Sequence, residues 1–152
     1  MFPTIEYGGI VLSNMSCMLL KKLQTYQNAC IRYIFGLKKH DHVSELRSSV
    51  MWLPVGRRLE HQTLCLLWKT MNEELSPSYL QSSFHPLQQS QHNTRSQHLL
   101  QIPSCSFIDF MSKSFAVNAA RLWNQLPVKL RILENRNSFK CQTKEYMLSL
   151  GE

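Results

Sequence analysis

The sequence has few of the aspartates from which two-metal catalytic centres are built. Its 152 residues include only two aspartates, Asp41 and Asp109, which lie in unrelated segments. Two-metal polymerases and nucleases hold their metals with several closely set carboxylates, so that chemistry is not expected here. The five glycines match neither a dinucleotide-binding nor a phosphate-loop pattern, and no Gly-x-Ser-x-Gly elbow occurs. We therefore expect no enzyme activity, no catalytic residue, no small-molecule substrate and no cofactor.

Cysteine pairs and long apolar runs are also missing. The five cysteines lie far apart, their number is odd, and no Cys-x-x-Cys occurs, which argues against a disulfide framework or a zinc ribbon. Reduced thiols indicate an intracellular protein, nuclear or cytoplasmic. The longest apolar runs are too short for a bilayer, and the N-terminus lacks the cationic and apolar regions of a secretory signal. No membrane partner is expected.

Two short clusters raise the question of a metal site. One is His40-Asp41-His42, and the other is His61 with Cys65, one helical turn apart. A structural zinc site needs four ligands, and neither cluster has an obvious second pair. A helix-surface histidine and a buried cysteine explain His61 and Cys65 without a metal. We predict no metal site.

The composition is that of a folded chain. Hydrophobic residues make up 43% and charged residues 18%, and 152 residues suffice for one domain with a core. The patterns predict a mainly α protein, an irregular helical domain with a polar central loop and room for one short β-hairpin. The expected segments are an end segment (1–36), a helical region (37–84), a polar connector that could hold short strands (85–111) and a C-terminal helical pair (112–152). We expect them to form one compact unit.

Helical spacing is clearest in SNMSCMLLKKLQTYQNACIRYIFG, residues 13–36. Ser16 is one of its plausible N-caps and Gly36 its expected stop, and one face carries Leu19, Leu23, Tyr26, Cys30 and Tyr33. A short second helix is expected to be capped by Asp41. The later predicted features are a helix over 55–74 with the stripe Leu64, Leu67, Trp68, Met71 and Leu75, a brief helix with Ser76 as cap, and a last helix from about Asn137.

The stretch AVNAARLWNQLPVKLR, residues 116–131, predicts a helix that stops at a defined place. Ser112 or Ser114 would cap its start, and Pro127 forbids further helix. We expect Trp123 to anchor the helix end in the core, and Asn124 to satisfy the frayed carbonyls there. The strands of the connector, if any, are expected in HLLQIPSCSFIDF, residues 98–110.

A basic surplus is the main functional signal. The net charge is +7 and the pI about 9.3, which favours an anionic partner such as nucleic acid. Lysine and arginine neutralise phosphates without reading bases. A solvated surface without a partner is the alternative, and Glu60 with solvent could relieve the cations that open the third helix. The candidate nucleic-acid contacts are Lys21, Lys22, Asn28, Arg32, Lys38, Lys39, Arg57 and Arg58.

An ordered succession of phrases carries a family resemblance. The phrases include LKKLQTYQNACIRYIFG, WLPV, SPSYL, HNTRS, ARLWNQLPVKLR and NSFKCQTKEYMLSL. Over nearly its whole length the chain resembles the C-terminal region of non-LTR retrotransposon reverse transcriptases, of the jockey-like insect type. The first 36 residues are similar to the end of the thumb, and the rest to the helical region behind it.

The resemblance implies a segment without its catalytic body, because the polymerase palm and the endonuclease of that family lie upstream. We expect a non-catalytic fragment of an RNA-directed DNA polymerase that contacts RNA or an RNA–DNA hybrid through the phosphate backbone. The alternative is a helical interaction or scaffold module that packs on the polymerase core and binds no nucleic acid.

Overall fold

The fold is mainly helical, as the sequence predicts. A computed structural model describes residues 8–11, 15–87, 98–103 and 114–150. Within these ranges lie the helices α1 (Cys17–Ile34), α2 (Ser44–Ser49), α3 (Val55–Asn72), α4 (Ser78–Gln81), α5 (Phe115–Gln125), α6 (Val128–Arg131) and α7 (Arg136–Ser149).

Helix α1 begins and ends where its sequence indicates. The Ser16 hydroxyl accepts a hydrogen bond from the Leu19 amide at 3.4 Å. Gly36 follows the helix with φ +63°, a left-handed conformation that glycine adopts without strain. The face that packs inward is not the apolar stripe predicted from the sequence, however. Gln27 and Ile31 are buried, whereas Tyr26 and Tyr33 of the apolar stripe are exposed.

Helix α3 is the central helix, since α1, α4, α5 and α7 all contact it. Leu64, Leu67 and Trp68 are buried as predicted. Burial of Leu75 was predicted wrongly, because the helix ends at Asn72 and Leu75 is 98% exposed. Residues at helical spacing lie on one face only as long as the backbone is helical, so a residue beyond the helix end does not follow the pattern.

Two predicted caps have other roles. The Asp41 carboxylate accepts from the Lys38 amide at 2.7 Å in the turn before α2, and Val43 occupies the N-cap position of that helix. Ser76 donates its hydroxyl to the Lys69 carbonyl at 3.1 Å, which leaves Pro77 at the N-cap of α4. Both polar side chains form hydrogen bonds with nearby backbone groups in a loop. Such local bonds compete with helix capping for the same side chains.

The predicted proline stop holds for α5, but helical structure resumes directly after it. Ser114 is the N-cap residue and Gln125 the last residue of α5. Leu126 is extended, and Pro127 then stands at the N-cap of the one-turn helix α6. A proline is compatible with a helix start because its missing N–H would have no helical partner there. The C-terminal region therefore contains three described helices rather than a pair.

Aromatic stacking fixes the relative positions of three helices. The ring of Phe139 on α7 lies 5.9 Å from that of Trp68 on α3 and 5.8 Å from that of Trp123 on α5, with interplanar angles of 25° and 30°. Each indole N–H has a backbone acceptor, Leu133 for Trp68 and His98 for Trp123. The predicted core position of Trp123 is thus confirmed.

The connector contains an isolated antiparallel bridge, between Pro86 and Leu100, in its described part. Residues 98–103 form no strand, so the strand expected there is not found; residues 104–110 of the same prediction lie outside the described ranges. Proline lacks the amide that a longer ladder would need; Pro86 is itself one of the paired residues, and Pro103 follows Leu100 by three residues. The segment is held instead by Asn124, whose side chain bonds to both backbone groups of Leu100 at 2.9 Å.

Candidate anion-binding surfaces

The outward side of α1 carries two of the predicted contacts. Lys21 and Lys22 are both exposed, and Lys22, Tyr26 and Tyr33 recur at helical spacing along one side. Tyr26 is 60% and Tyr33 90% exposed. We call the set Lys21, Lys22, Tyr26 and Tyr33 the α1 face.

The other predicted cations near α1 lie far from the two lysines of this face. Lys38 and Lys39 are exposed in the turn beyond the helix. Because twelve residues separate Lys22 from Ile34 at 1.5 Å each, this turn lies about 18 Å further along the helix axis. An extended nucleic acid could reach both places, but a small anion could not.

Asn28 and Arg32 are engaged within the protein. Asn28 accepts a hydrogen bond from the Gln24 amide at 2.9 Å, and the Arg32 Nε donates to the Asp41 carbonyl at 3.0 Å. Gln24 also accepts from the Val55 amide, which fastens α1 to the start of α3. The structure therefore gives Asn28 and Arg32 positioning contacts that the sequence does not indicate.

The two arginines at the start of α3 diverge. Arg57 pairs with Glu60 at 2.9 Å, which is the intramolecular relief considered as the alternative to a partner. Arg58 lines a groove between α3 and α7. The two side chains lie about 100° apart around the helix, as consecutive residues must.

The α3–α7 groove is a second basic surface, which the sequence prediction did not identify. It has a volume of about 440 Å³. Its floor is apolar and includes Leu53, Leu66 and the Trp68–Phe139 pair. Five cations line it, and no carboxylate is among the described lining residues; the cations are Arg58, Lys69, Arg136, Lys140 and Lys144.

The sequence does hold a signal for this groove, but it spans two distant segments. Arg136, Lys140 and Lys144 recur every four residues, which places them on one side of α7. Pairing that side with α3 requires the tertiary fold. Glu73 lies 3.3 Å from Arg136, whereas His61 contacts Lys140, so the two helices run antiparallel.

His61 lies in the wall of the groove and is buried, contrary to the predicted helix-surface position. Its Nε2 is 2.9 Å from the Lys140 carbonyl, so this nitrogen carries the proton and donates it. Burial lowers the pKa of His61 below its ordinary 6.5; the hydrogen bond to Lys140 raises it in part, and the charges of Lys140, Lys144 and Arg58 lower it further. The ring is therefore neutral at pH 7.

Cys65 lies one turn beyond His61, with its Sγ 3.7 Å from the His61 Nε2. Burial raises the pKa of the Cys65 thiol from 9.0 to about 11, against the opposing charges of Lys140 and Arg136. A thiol that keeps its proton at neutral pH is a poor nucleophile and a poor metal ligand. Among the described residues, no three His, Cys, Asp or Glu side chains are grouped as a metal site requires.

Comparison with protein families, with curated proteins and with solved structures finds no match to this chain. Of the helices that the structure describes, none has the length and apolar character needed to cross a membrane.

Proposed function

We propose that this chain is a non-catalytic segment of a retrotransposon-derived RNA-directed DNA polymerase and contacts RNA or an RNA–DNA hybrid through the phosphate backbone. The resemblance of its ordered sequence phrases supports the family, and an intracellular setting, nuclear or cytoplasmic, goes with it. The α1 face is the observation that carries the binding role, because it presents Lys22 and two exposed aromatic rings on one side of a helix, with Lys21 exposed about 100° around the helix from Lys22.

The chemistry of the α1 face suits single-stranded or looped RNA. Lysines release counterions from phosphates, which gives affinity without sequence preference. Tyrosine rings on the same side can stack on unpaired bases, and each stacked base contributes about 1–3 kcal/mol. The exposed rings of Tyr26 and Tyr33 are spaced by two helical turns, or about 10 Å. A nucleic-acid base that lies between the two stacked bases would contact Ala29, whose side chain is small, or no side chain of the helix.

A second candidate function rests on the same helix. Met18, Leu19, Ile34 and Phe35 are exposed beside the tyrosines, so α1 presents more apolar surface than a solvated helix needs. A helical scaffold module that packs on a polymerase core through α1 would show this pattern. Its expected behaviour is self-association or aggregation of the isolated chain, with no preference for RNA.

The double variant K21Q/K22Q tests the binding role. It removes two exposed cations and leaves Arg32 in place, since Arg32 bonds to the Asp41 backbone and its loss would disturb the fold. Fluorescence anisotropy with a labelled RNA hairpin, an RNA–DNA hybrid and duplex DNA at several salt concentrations gives affinity and salt slope. We expect weaker RNA binding and a salt slope smaller by about 1.4–1.8, at 0.7–0.9 per lost phosphate contact.

The matched control is R121Q/K129Q, which removes the same charge from exposed positions on α5 and α6. Equal losses in both double variants would show that only net charge matters and would overturn the α1 face as the contact surface. Light scattering on the same samples separates the second candidate. Oligomers that form without RNA, together with no RNA binding at low salt, would favour the scaffold role.

A further inference from the structure

The α3–α7 groove has the size and charge of a small-ligand site. Its volume of about 440 Å³ lies within the range of about 300–1,000 Å³ that is usual for ligand pockets. An apolar floor with a few polar groups at the edge is also the usual composition of such sites. Of the eight nucleic-acid contacts predicted from the sequence, Arg58 alone is among the described residues that line the groove. The groove is thus separate from the α1 face.

The charges of the groove are unequal along its length. At the end near the C-terminus of α3, Glu73 lies 3.8 Å from Lys69 and 3.3 Å from Arg136, which offsets those two cations. At the other end, Lys140 and Lys144 on α7 face His61 together with Arg58 on α3. Cations from α3 and α7 therefore converge near His61. An anion at this end would meet cations from both helices.

Two neutral groups beside these cations add selectivity. The Oε1 of Gln62 is out of contact with solvent and accepts no hydrogen bond from the described residues. A buried acceptor without a donor costs about 1–3 kcal/mol, and rotation of the Gln62 amide toward the groove would let a ligand N–H or O–H recover it. His61 donates through Nε2 to Lys140, so its Nδ1 is an acceptor in the neutral ring, with the Cys65 Sγ 4.0 Å away as a weak donor.

From these features we infer that the α3–α7 groove binds a phosphate monoester of the nucleoside monophosphate class. The dianionic phosphate lies among Lys140, Lys144 and Arg58, and the nucleoside lies along the apolar floor with a donor toward Gln62. A doubly charged group suits this end better than a single carboxylate, because cations from two helices converge there. This inference does not depend on the proposed contact of α1 with RNA.

Calorimetric titration of the whole chain with adenosine 5′-monophosphate, adenosine and inorganic phosphate tests the inference. We expect the monophosphate to bind at least tenfold more tightly than either part alone. Equal binding of adenosine would overturn the role of the cations. Equal binding of inorganic phosphate would reduce the groove to an unspecific ion site, and no heat with millimolar monophosphate would overturn the site itself.

The variant K140Q/K144Q locates the site. It leaves the hydrogen bond to His61 intact, since His61 bonds to the backbone carbonyl of Lys140. We expect at least a tenfold loss of monophosphate affinity, whereas K21Q/K22Q, with the same net charge, keeps the affinity of the unmodified chain. Circular dichroism checks that both variants fold. Equal losses in the two variants would contradict a site in the groove, and RNA affinity measured on both reports separately on the α1 face.

Discussion

His61 couples the charge of the α3–α7 groove to pH. Its ring is buried and faces Arg58 from its own helix and Lys140 and Lys144 from α7, with the neutral Cys65 thiol beside it. Each of the three cations opposes a positive charge on the ring. Burial and the three cations therefore all oppose protonation of His61. The folded protein keeps the ring neutral down to a lower pH than the unfolded chain does.

This coupling predicts a loss of stability on acidification. The unfolded chain takes up a proton at His61 as the pH falls through about 6.5, whereas the folded chain does so only at lower pH because its pKa is lowered. Protons thus favour the unfolded state, and stability that is present above pH 6.5 is lost as the pH falls. One proton changes the free energy of unfolding by at most about 1.4 kcal/mol per pH unit.

Urea denaturation between pH 8 and pH 5 measures this effect. We expect H61Q to lose less stability over this range than the unmodified chain, because glutamine can donate to the Lys140 carbonyl but does not titrate. H40Q is the control, since His40 is exposed in the turn after α1. Parallel stability curves for H61Q and the unmodified chain would contradict a lowered pKa at His61.

At the scale of elements, buried polar side chains decide how helices and loops meet. Gln27 is 1% exposed and donates to the Leu53 carbonyl at 2.9 Å, and Gln24 accepts from the Val55 amide. These bonds place the Gln side of α1 against α3 and leave Tyr26 and Tyr33 outside. A hydrophobic period marks the helix correctly. It does not mark the buried face here, because hydrogen bonds to Leu53 and to the start of α3 turn inward a side that carries glutamines as well as Ile31.

Asn124 shows the same limit of sequence reasoning. Its position at the end of α5 suggests a role toward the frayed carbonyls of that helix. The side chain instead accepts from the Leu100 amide and donates to the Leu100 carbonyl, as a neighbouring strand would. The partner lies 24 residues away, so no local pattern could indicate it. Helix ends and stops are predictable because their causes lie within a few residues.

We expect N124A to release the segment around Leu100. The change leaves an amide and a carbonyl without their partner, at a cost of about 1–3 kcal/mol for buried groups. Hydrogen exchange followed by NMR should show the Leu100 amide exchanging about tenfold faster or more. Q125A at the exposed end of α5 is the control. Unchanged protection of Leu100 in N124A would mean that the antiparallel bridge to Pro86 and the hydrogen bond from Trp123 to the His98 carbonyl hold the segment without Asn124.

At the scale of the whole molecule, the aromatic core is separate from the α1 face, whereas Trp68 and Phe139 of the core also form part of the floor of the α3–α7 groove. The core joins α3, α5 and α7 through Phe139 and two tryptophans. Two cations lie on the α1 face and five along the α3–α7 groove. Seven of the 17 lysines and arginines therefore lie on two surfaces with different shapes. Composition predicts an anionic partner but cannot distinguish an extended polymer from a small anion, because only the fold sets the distances between charges.

This separation predicts that stability and RNA binding respond to different residues. F139A removes the ring between Trp68 and Trp123, and loss of a buried phenylalanine costs about 3–5 kcal/mol. Because domains of this size are stable by only about 5–15 kcal/mol, much of the stability should be lost. Y33A removes a ring that is 90% exposed, and such surface changes usually stay within about 0.5 kcal/mol.

Denaturant unfolding followed by tryptophan fluorescence compares the two variants, and anisotropy with the RNA hairpin is measured on the same preparations. Y33A should unfold like the unmodified chain and bind RNA more weakly, since a stacking ring is lost. F139A should unfold at much lower denaturant, while its folded fraction keeps the α1 face. If Y33A were as destabilised as F139A, α1 would be packed in the protein in solution, and its outward side could not be the surface that meets a nucleic acid.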